Sequence, residues 1–84
     1  MTYSVVILRS AQKSIGSLPR VLQDRIVAAI RRLALNPRPP GVKKLTGREA
    51  WRIRVADYRV IYDINDADLT VLVVDVRHRR EIYR

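Results

Sequence analysis

The chain has 84 residues, 48% of them hydrophobic, which fits one globular domain with a modest core. With no cysteine and a single histidine it excludes disulfides, thiolate metal sites and thiol catalysis, and no cofactor or metal is expected. A formal charge of +9, from 14 Arg and 3 Lys against 8 acidic residues, makes a surface that attracts polyanions.

No run approaches the roughly 20 apolar residues that span a bilayer. Met1-Thr2-Tyr3-Ser4 carries no basic region leading into an apolar stretch, so no secretory signal is expected and the protein reads as cytoplasmic, without a membrane partner.

Tyr3 to Leu8 is rich in β-branched residues and predicts a first strand. Ser10 suits an N-cap for a short helix from Ala11 to about Leu18, which Gly16 weakens. Pro19 suits the first turn of a second helix. There Leu22, Ile26, Ala29, Ile30 and Leu33 make one apolar stripe, with Arg20, Gln23, Asp24, Arg31 and Arg32 largely off it. The two helices are expected to form a hairpin with that stripe against a sheet. Asn36-Pro37-Arg38-Pro39-Pro40-Gly41 ends the helix as a stiff connector, and Val42 to Gly47 follows as a basic, partly exposed segment. Strands are predicted at Trp51–Val55, Tyr58–Ile64 and Leu69–Val76, with Asn65-Asp66-Ala67-Asp68 as the second turn. The tail runs from Arg77 to Arg84. The order β-α-α-β-β-β gives a single α+β domain over 1–84: an antiparallel sheet with an N-terminal helical hairpin packed on one face.

The stretch from Trp51 to Tyr62 alternates apolar and polar residues on both sides of Ala56-Asp57 and reads as a β-hairpin. An even loop places Arg54 opposite Arg59, with Arg52 on the same face. Trp51, Ile53, Val55, Tyr58, Val60 and Tyr62 fill the other. Like charges facing one another across strands are destabilising. Guanidiniums stacked on one sheet face therefore suggest an anion, and arginine is suited to bidentate phosphate contacts. Ile61, Leu72, Val74 and Val76 share the arginine parity, so that face is also expected to meet a partner or a covering tail.

These residues carry a family resemblance. Leu18-Pro19, Leu45-Thr46-Gly47, Trp51-Arg52-Ile53-Arg54-Val55, Asp57-Tyr58-Arg59-Val60-Ile61-Tyr62 and His78-Arg79-Arg80-Glu81-Ile82-Tyr83 together resemble the RelE/ParE superfamily of bacterial toxins. The pattern looks closest to the RelE-like ribonuclease branch and covers essentially the whole chain. The resemblance implies a toxin held by a cognate antitoxin, cutting messenger RNA on the ribosome, with the toxin–antitoxin complex as an operator-DNA binder. It places Arg52 and Arg54 where a basic pair, often lysines, stands on the second strand. Arg59 matches the arginine after the tyrosine of the third strand, and Arg79 the arginine near the end of the fourth. His78 matches a basic or histidine position and Tyr83 the C-terminal tyrosine. Arginine stays protonated and is a poor general base, so the change from lysine bears directly on proton abstraction.

RNA is cut without metal when its 2′-oxygen attacks the adjacent phosphorus, giving a 2′,3′-cyclic phosphate and a 5′-hydroxyl. That reaction needs a base, cations for the phosphorane and an acid for the leaving oxygen. Arg54, Arg59 and Arg79 are the expected catalytic cations, with His78 and Tyr83 as candidates for proton transfer or orientation. Lys43, Lys44, Arg52, Arg77 and Arg80 are expected to contact the RNA backbone. Glu49 and Glu81 are the nearest carboxylates in sequence. The rival readings are a non-enzymatic ParE-type inhibitor of DNA gyrase and a nucleic-acid-binding co-repressor.

Overall fold

The computed structural model describes residues 2–47 and 49–82, the last two by backbone alone. Strand β1 (Ser4–Ile7) leads into helices α1 (Arg9–Gly16) and α2 (Arg20–Arg32). Then come β2 (Lys43–Lys44), β3 (Trp51–Val55), β4 (Tyr58–Asn65), β5 (Thr70–His78) and a terminal turn of helix, α3 (Arg79–Ile82). The strands form one sheet in the order β1-β5-β4-β3-β2.

Three of these features differ from the sequence expectation. First, the sheet is mixed: β1 pairs parallel to β5, while β3, β4 and β5 form an antiparallel meander. The helical hairpin is the crossover that a parallel pair needs, and it carries the chain from one sheet edge to the other. Second, α1 begins at Arg9 with Leu8 as N-cap and no side-chain cap, so Ser10 lies inside the first turn. Third, Lys43 and Lys44 add a short edge strand beside β3.

Helix positions are set by the apolar stripe. Ala11 and Ile15 of α1, Ile26 and Ile30 of α2, and Leu33 just beyond are buried against Ile53, Val55, Val60, Tyr62, Val71, Val73 and Val76 of the sheet. Trp51 and Tyr58 are half-buried on that same face, as the hairpin parity requires.

The connector is tied to the core at Tyr62. Its hydroxyl donates to the Pro37 carbonyl at 2.7 Å inside the protein. Burial pushes the Tyr62 hydroxyl up to about 12. Nearby, Arg38 makes a two-pronged contact to Asp66 at 3.0 and 3.2 Å, and the Tyr3 hydroxyl donates to the same carboxylate at 2.7 Å. Arg38 and Tyr3 together hold the Asp66 carboxyl below its usual range. The Arg38 guanidinium also lies 5.0 Å from the centre of the Trp51 ring.

A shift of register between β4 and β5 decides what each sheet face displays. Val60 faces Val76 and Ile61 faces Asp75, but Tyr62 faces Val73, so Val74 is the extra residue of a bulge. The bulge reverses the parity of the strand's end. Val76, expected on the arginine face, is buried in the core instead, and Asp75 and Arg77 move onto the arginine face. An unbulged strand would have pushed those two charged groups under the helices, at a large desolvation cost.

Candidate functional site

The β3–β4 turn has two residues, so Arg54 lies directly across from Arg59 as the alternation predicts. Arg59 in turn pairs with Arg77 on β5. Three arginines therefore form one row across three strands on the face away from the helices. Ala56 opens the tight turn at φ 53°, a left-handed conformation that alanine adopts only with strain.

The second edge of the site comes from the connector. Val42 N–H donates to the Pro39 carbonyl at 3.1 Å, and Gly41 between them has φ 87°. Proline at the second turn position and a positive-φ glycine at the third are what a type II turn requires. This turn delivers β2 to the edge of β3, where Lys43 pairs with Arg52 and Lys44 with Trp51. Paired residues in an antiparallel ladder share a face. Lys43 therefore joins the arginine face, and Lys44 goes to the helix side. There the Lys44 ammonium sits 5.8 Å from the Trp51 ring centre and 3.4 Å from Glu49 Oε1.

The result is a cavity of about 70 Å³ lined by Gly41, Lys43, Arg52, Arg54 and Arg59. Four of the five described lining residues are cations and none of the five is a carboxylate. Arg59, at 1% exposure, is the most deeply set, whereas Arg54 is exposed and Arg52 half-buried. Arg59 holds its expected place on the arginine face and is buried there. Its guanidinium nitrogens Nε and Nη1 are buried along with the rest of the side chain, so Arg59 lines the cavity from its floor. Arg54 also borders two wider hollows, one shared with Arg32, Pro39 and Pro40, the other with Arg25, Arg32 and Asp24. Arg25 and Arg32, seven residues apart on α2, extend the basic surface beyond the cavity. The apolar stripe gave them no place in the site; their i, i+7 spacing was the available signal.

The other expected site residues are dispersed. His78 pairs with Tyr58, and their rings meet edge to face at 5.1 Å. It lines a separate cavity of about 470 Å³ with Ser14, Ser17, Leu18, Val76 and Arg80, on the helix side of the sheet. The bulge at Val74 puts it there, so neither His78 nor Arg80 reaches the arginine cavity. Arg77 shares the arginine face, and its Nε donates to Asp75. Arg79 starts α3, and its N–H donates to the Asp57 carbonyl at 2.8 Å, pinning α3 to the β3–β4 turn. Tyr83 lies outside the described residues. Among the described residues no cluster of three or more metal-ligating side chains occurs. No helix among them is long and apolar enough to cross a membrane.

A helical hairpin on one face of this mixed sheet, with an open basic face opposite, is the RelE-like toxin fold. Residues 5–83 match the family model described as the ParE toxin of type II toxin–antitoxin systems. Toxin RelG of Mycobacterium tuberculosis is 34% identical over all of this chain and 99% of its own length. A chain of the archaeal RelE–RelB complex from Pyrococcus horikoshii superposes with a TM-score of 0.84 at 33% identity, covering 94% of this chain and 97% of that one. The free form of an Escherichia coli RelE double mutant shares the fold with a TM-score of 0.79 at 23% identity, over 99% and 92% of the two chains. The chain belongs to the ParE toxin family, within the RelE/ParE superfamily, and is a toxin of the type II toxin–antitoxin class.

Proposed function

We propose that this toxin is an endoribonuclease that cleaves ribosome-bound mRNA by attack of the RNA's own 2′-hydroxyl, and that a cognate antitoxin silences it. The observation that carries the reading is the cavity ringed by Lys43, Arg52, Arg54 and Arg59. A small concave site whose described lining is four cations and a glycine suits a phosphodiester better than a protein surface. In this reading Arg54 and Arg59 neutralise the charge that develops on the phosphorane, where preorganised donors are worth most. Arg52 positions the backbone, and Arg25 and Arg32 take flanking phosphates without reading sequence. Arg79 and Tyr83 act from the C-terminal segment, and His78 has no part in the cavity. The antitoxin is the natural cover for the open face, where Val6 is 49% exposed beside Leu72, its partner in the β1–β5 ladder. The antitoxin complexes among the structural relatives support such a partner.

One observation favours a second reading. Neither the imidazole nor any carboxylate of the described residues lines the cavity, so it resembles a binding site more than an acid–base site. A non-cutting ParE-type inhibitor would look the same. Mapping mRNA 5′ ends after induction, with translation running and blocked, separates the two. The ribonuclease reading expects cuts inside translated codons only, abolished by Arg54→Ala. Growth arrest with no new 5′ ends would leave the inhibitor.

A further inference from the structure

The arginine cavity has the cations that RNA cleavage needs, and the leaving group also needs a proton donor. Guanidinium holds its proton too tightly to serve well, and Arg52, Arg54 and Arg59 are all guanidiniums. Gly41 has no side chain, and His78 lines a different cavity. Among the described lining residues Lys43 alone is neither a guanidinium nor a glycine, and an ammonium can donate a proton.

We propose that Lys43 is a catalytic residue of this toxin, the general acid that protonates the leaving 5′-oxygen. The inference rests on the ribonuclease reading above and assigns a role within it. Its geometric basis is the two-residue strand β2. Register places Lys43 beside Arg52 on the arginine face and sends Lys44 to the opposite face, against Trp51 and Glu49. Neighbouring lysines are thus sorted into one that lines the cavity and one held elsewhere. Lys43 approaches from the sheet edge, whereas Arg59 is set deep in the middle of the sheet. Groups on different sides of a phosphate are what an in-line displacement uses, since attacking and leaving oxygens lie at opposite ends of one axis.

The step balances without any co-reactant. The 2′-oxygen forms a bond to phosphorus and its proton passes to solvent water. The bond from phosphorus to the 5′-oxygen breaks, and the Lys43 ammonium transfers one proton to that oxygen. The product ends are a 2′,3′-cyclic phosphate and a 5′-hydroxyl, and the neutral amine regains a proton from water.

A leaving-group substitution tests the role. Ribosomes are programmed with synthetic mRNA carrying either the natural 5′-oxygen or a bridging 5′-sulfur at the scissile phosphate, and single-turnover cleavage is followed. A thiolate leaves without being protonated, so it makes a general acid dispensable. Lys43→Ala and Lys43→Arg should each slow cleavage of the oxygen substrate by about 100-fold or more, the usual contribution of a positioned acid. On the sulfur substrate both should cut within about threefold of wild type, because the proton transfer they lack has no role there. Lys43 is exposed on an edge strand, so both variants should melt with wild type. Lys43→Arg cutting the oxygen substrate at the wild-type rate would reduce Lys43 to a fixed charge and overturn the proposal. An equal defect on both substrates would do the same, placing Lys43 in binding or base catalysis. If wild type cuts neither substrate on translating ribosomes, the ribonuclease reading itself fails and the role of Lys43 falls with it.

Discussion

The two faces of the sheet are built from the same strands by opposite rules. The helix-covered face is closed and apolar, with Val60, Tyr62, Val71 and Val73 fully buried under α1 and α2. The open face gathers like charges that gain nothing from one another: Arg54 opposite Arg59, Arg59 opposite Arg77 and Lys43 opposite Arg52. One face holds the fold together, and the other spends some of that stability on a cationic site. The difference teaches that the arginine row is tolerated because the core beneath it is complete.

Truncating the closed face should have the largest effect on stability. Ile30 is buried between α2 and the sheet, and Ile30→Ala should cost roughly 2–5 kcal/mol, seen as a lower denaturant midpoint. A loss under about 1 kcal/mol would mean that the helices are not what stabilises the sheet.

On the open face, two paired arginines should part company. Arg54 is exposed, so Arg54→Ala should remove at least about 100-fold of cleavage, the typical loss for one charge-stabilising donor. Its stability should stay level or rise by a fraction of a kcal/mol, as a like-charge cross-strand pair is relieved. Arg59→Ala should lose as much activity and also about 1–3 kcal/mol of stability, because its stem is buried. Urea melts of the two variants side by side check this. Equal stabilities would show that the burial of Arg59 contributes no packing.

The closed face should also set the alkaline limit of the fold. Tyr62 has its hydroxyl raised from 10.0 to about 12, so the folded state favours the neutral phenol. That contribution is complete below pH 10 and is lost as pH rises from 10 to 12, amounting to at most about 2–3 kcal/mol. Tyr62→Phe should flatten this arm of the stability–pH curve, while costing about 1 kcal/mol at pH 7 for the bond to Pro37. An unchanged alkaline arm would mean that another group controls it.

A more local effect should come from the turn that delivers β2. No atom crowds a Cβ at Gly41, so only its φ of 87° opposes a side chain. Gly41→Ala should cost about 1–2 kcal/mol and lower cleavage by shifting Lys43. Unaltered stability would show that the turn relaxes freely.

How legible each face was in the sequence follows from how many residues carry its pattern. The helix stripe repeats over three turns and the hairpin alternates over ten residues, so the core and the Arg54–Arg59 pairing could be read directly. Direction leaves no mark on a period of two, so β1 gave no sign of being parallel to β5. A two-residue strand has no periodicity, so the sorting of Lys43 from Lys44 was hidden. The bulge at Val74 did leave a trace: without it Asp75 and Arg77 would fall on the core parity, between Val73 and the strand's end. Taking the strand as regular put Val76 on the open face, and it is buried in the core instead; His78, which the family resemblance set with the arginines, lies beside Tyr58.

The most direct test of the account is the chemistry of the cut ends. With a 2′-deoxynucleotide at the scissile position of a ribosome-bound mRNA, cleavage should stop while binding to the complex persists. The all-ribose message should yield a 2′,3′-cyclic phosphate, or the 3′-phosphate it opens to, and a 5′-hydroxyl. A 5′-phosphate, or continued cutting of the deoxy message, would mean that water is the nucleophile and that the cation cavity does not act as described.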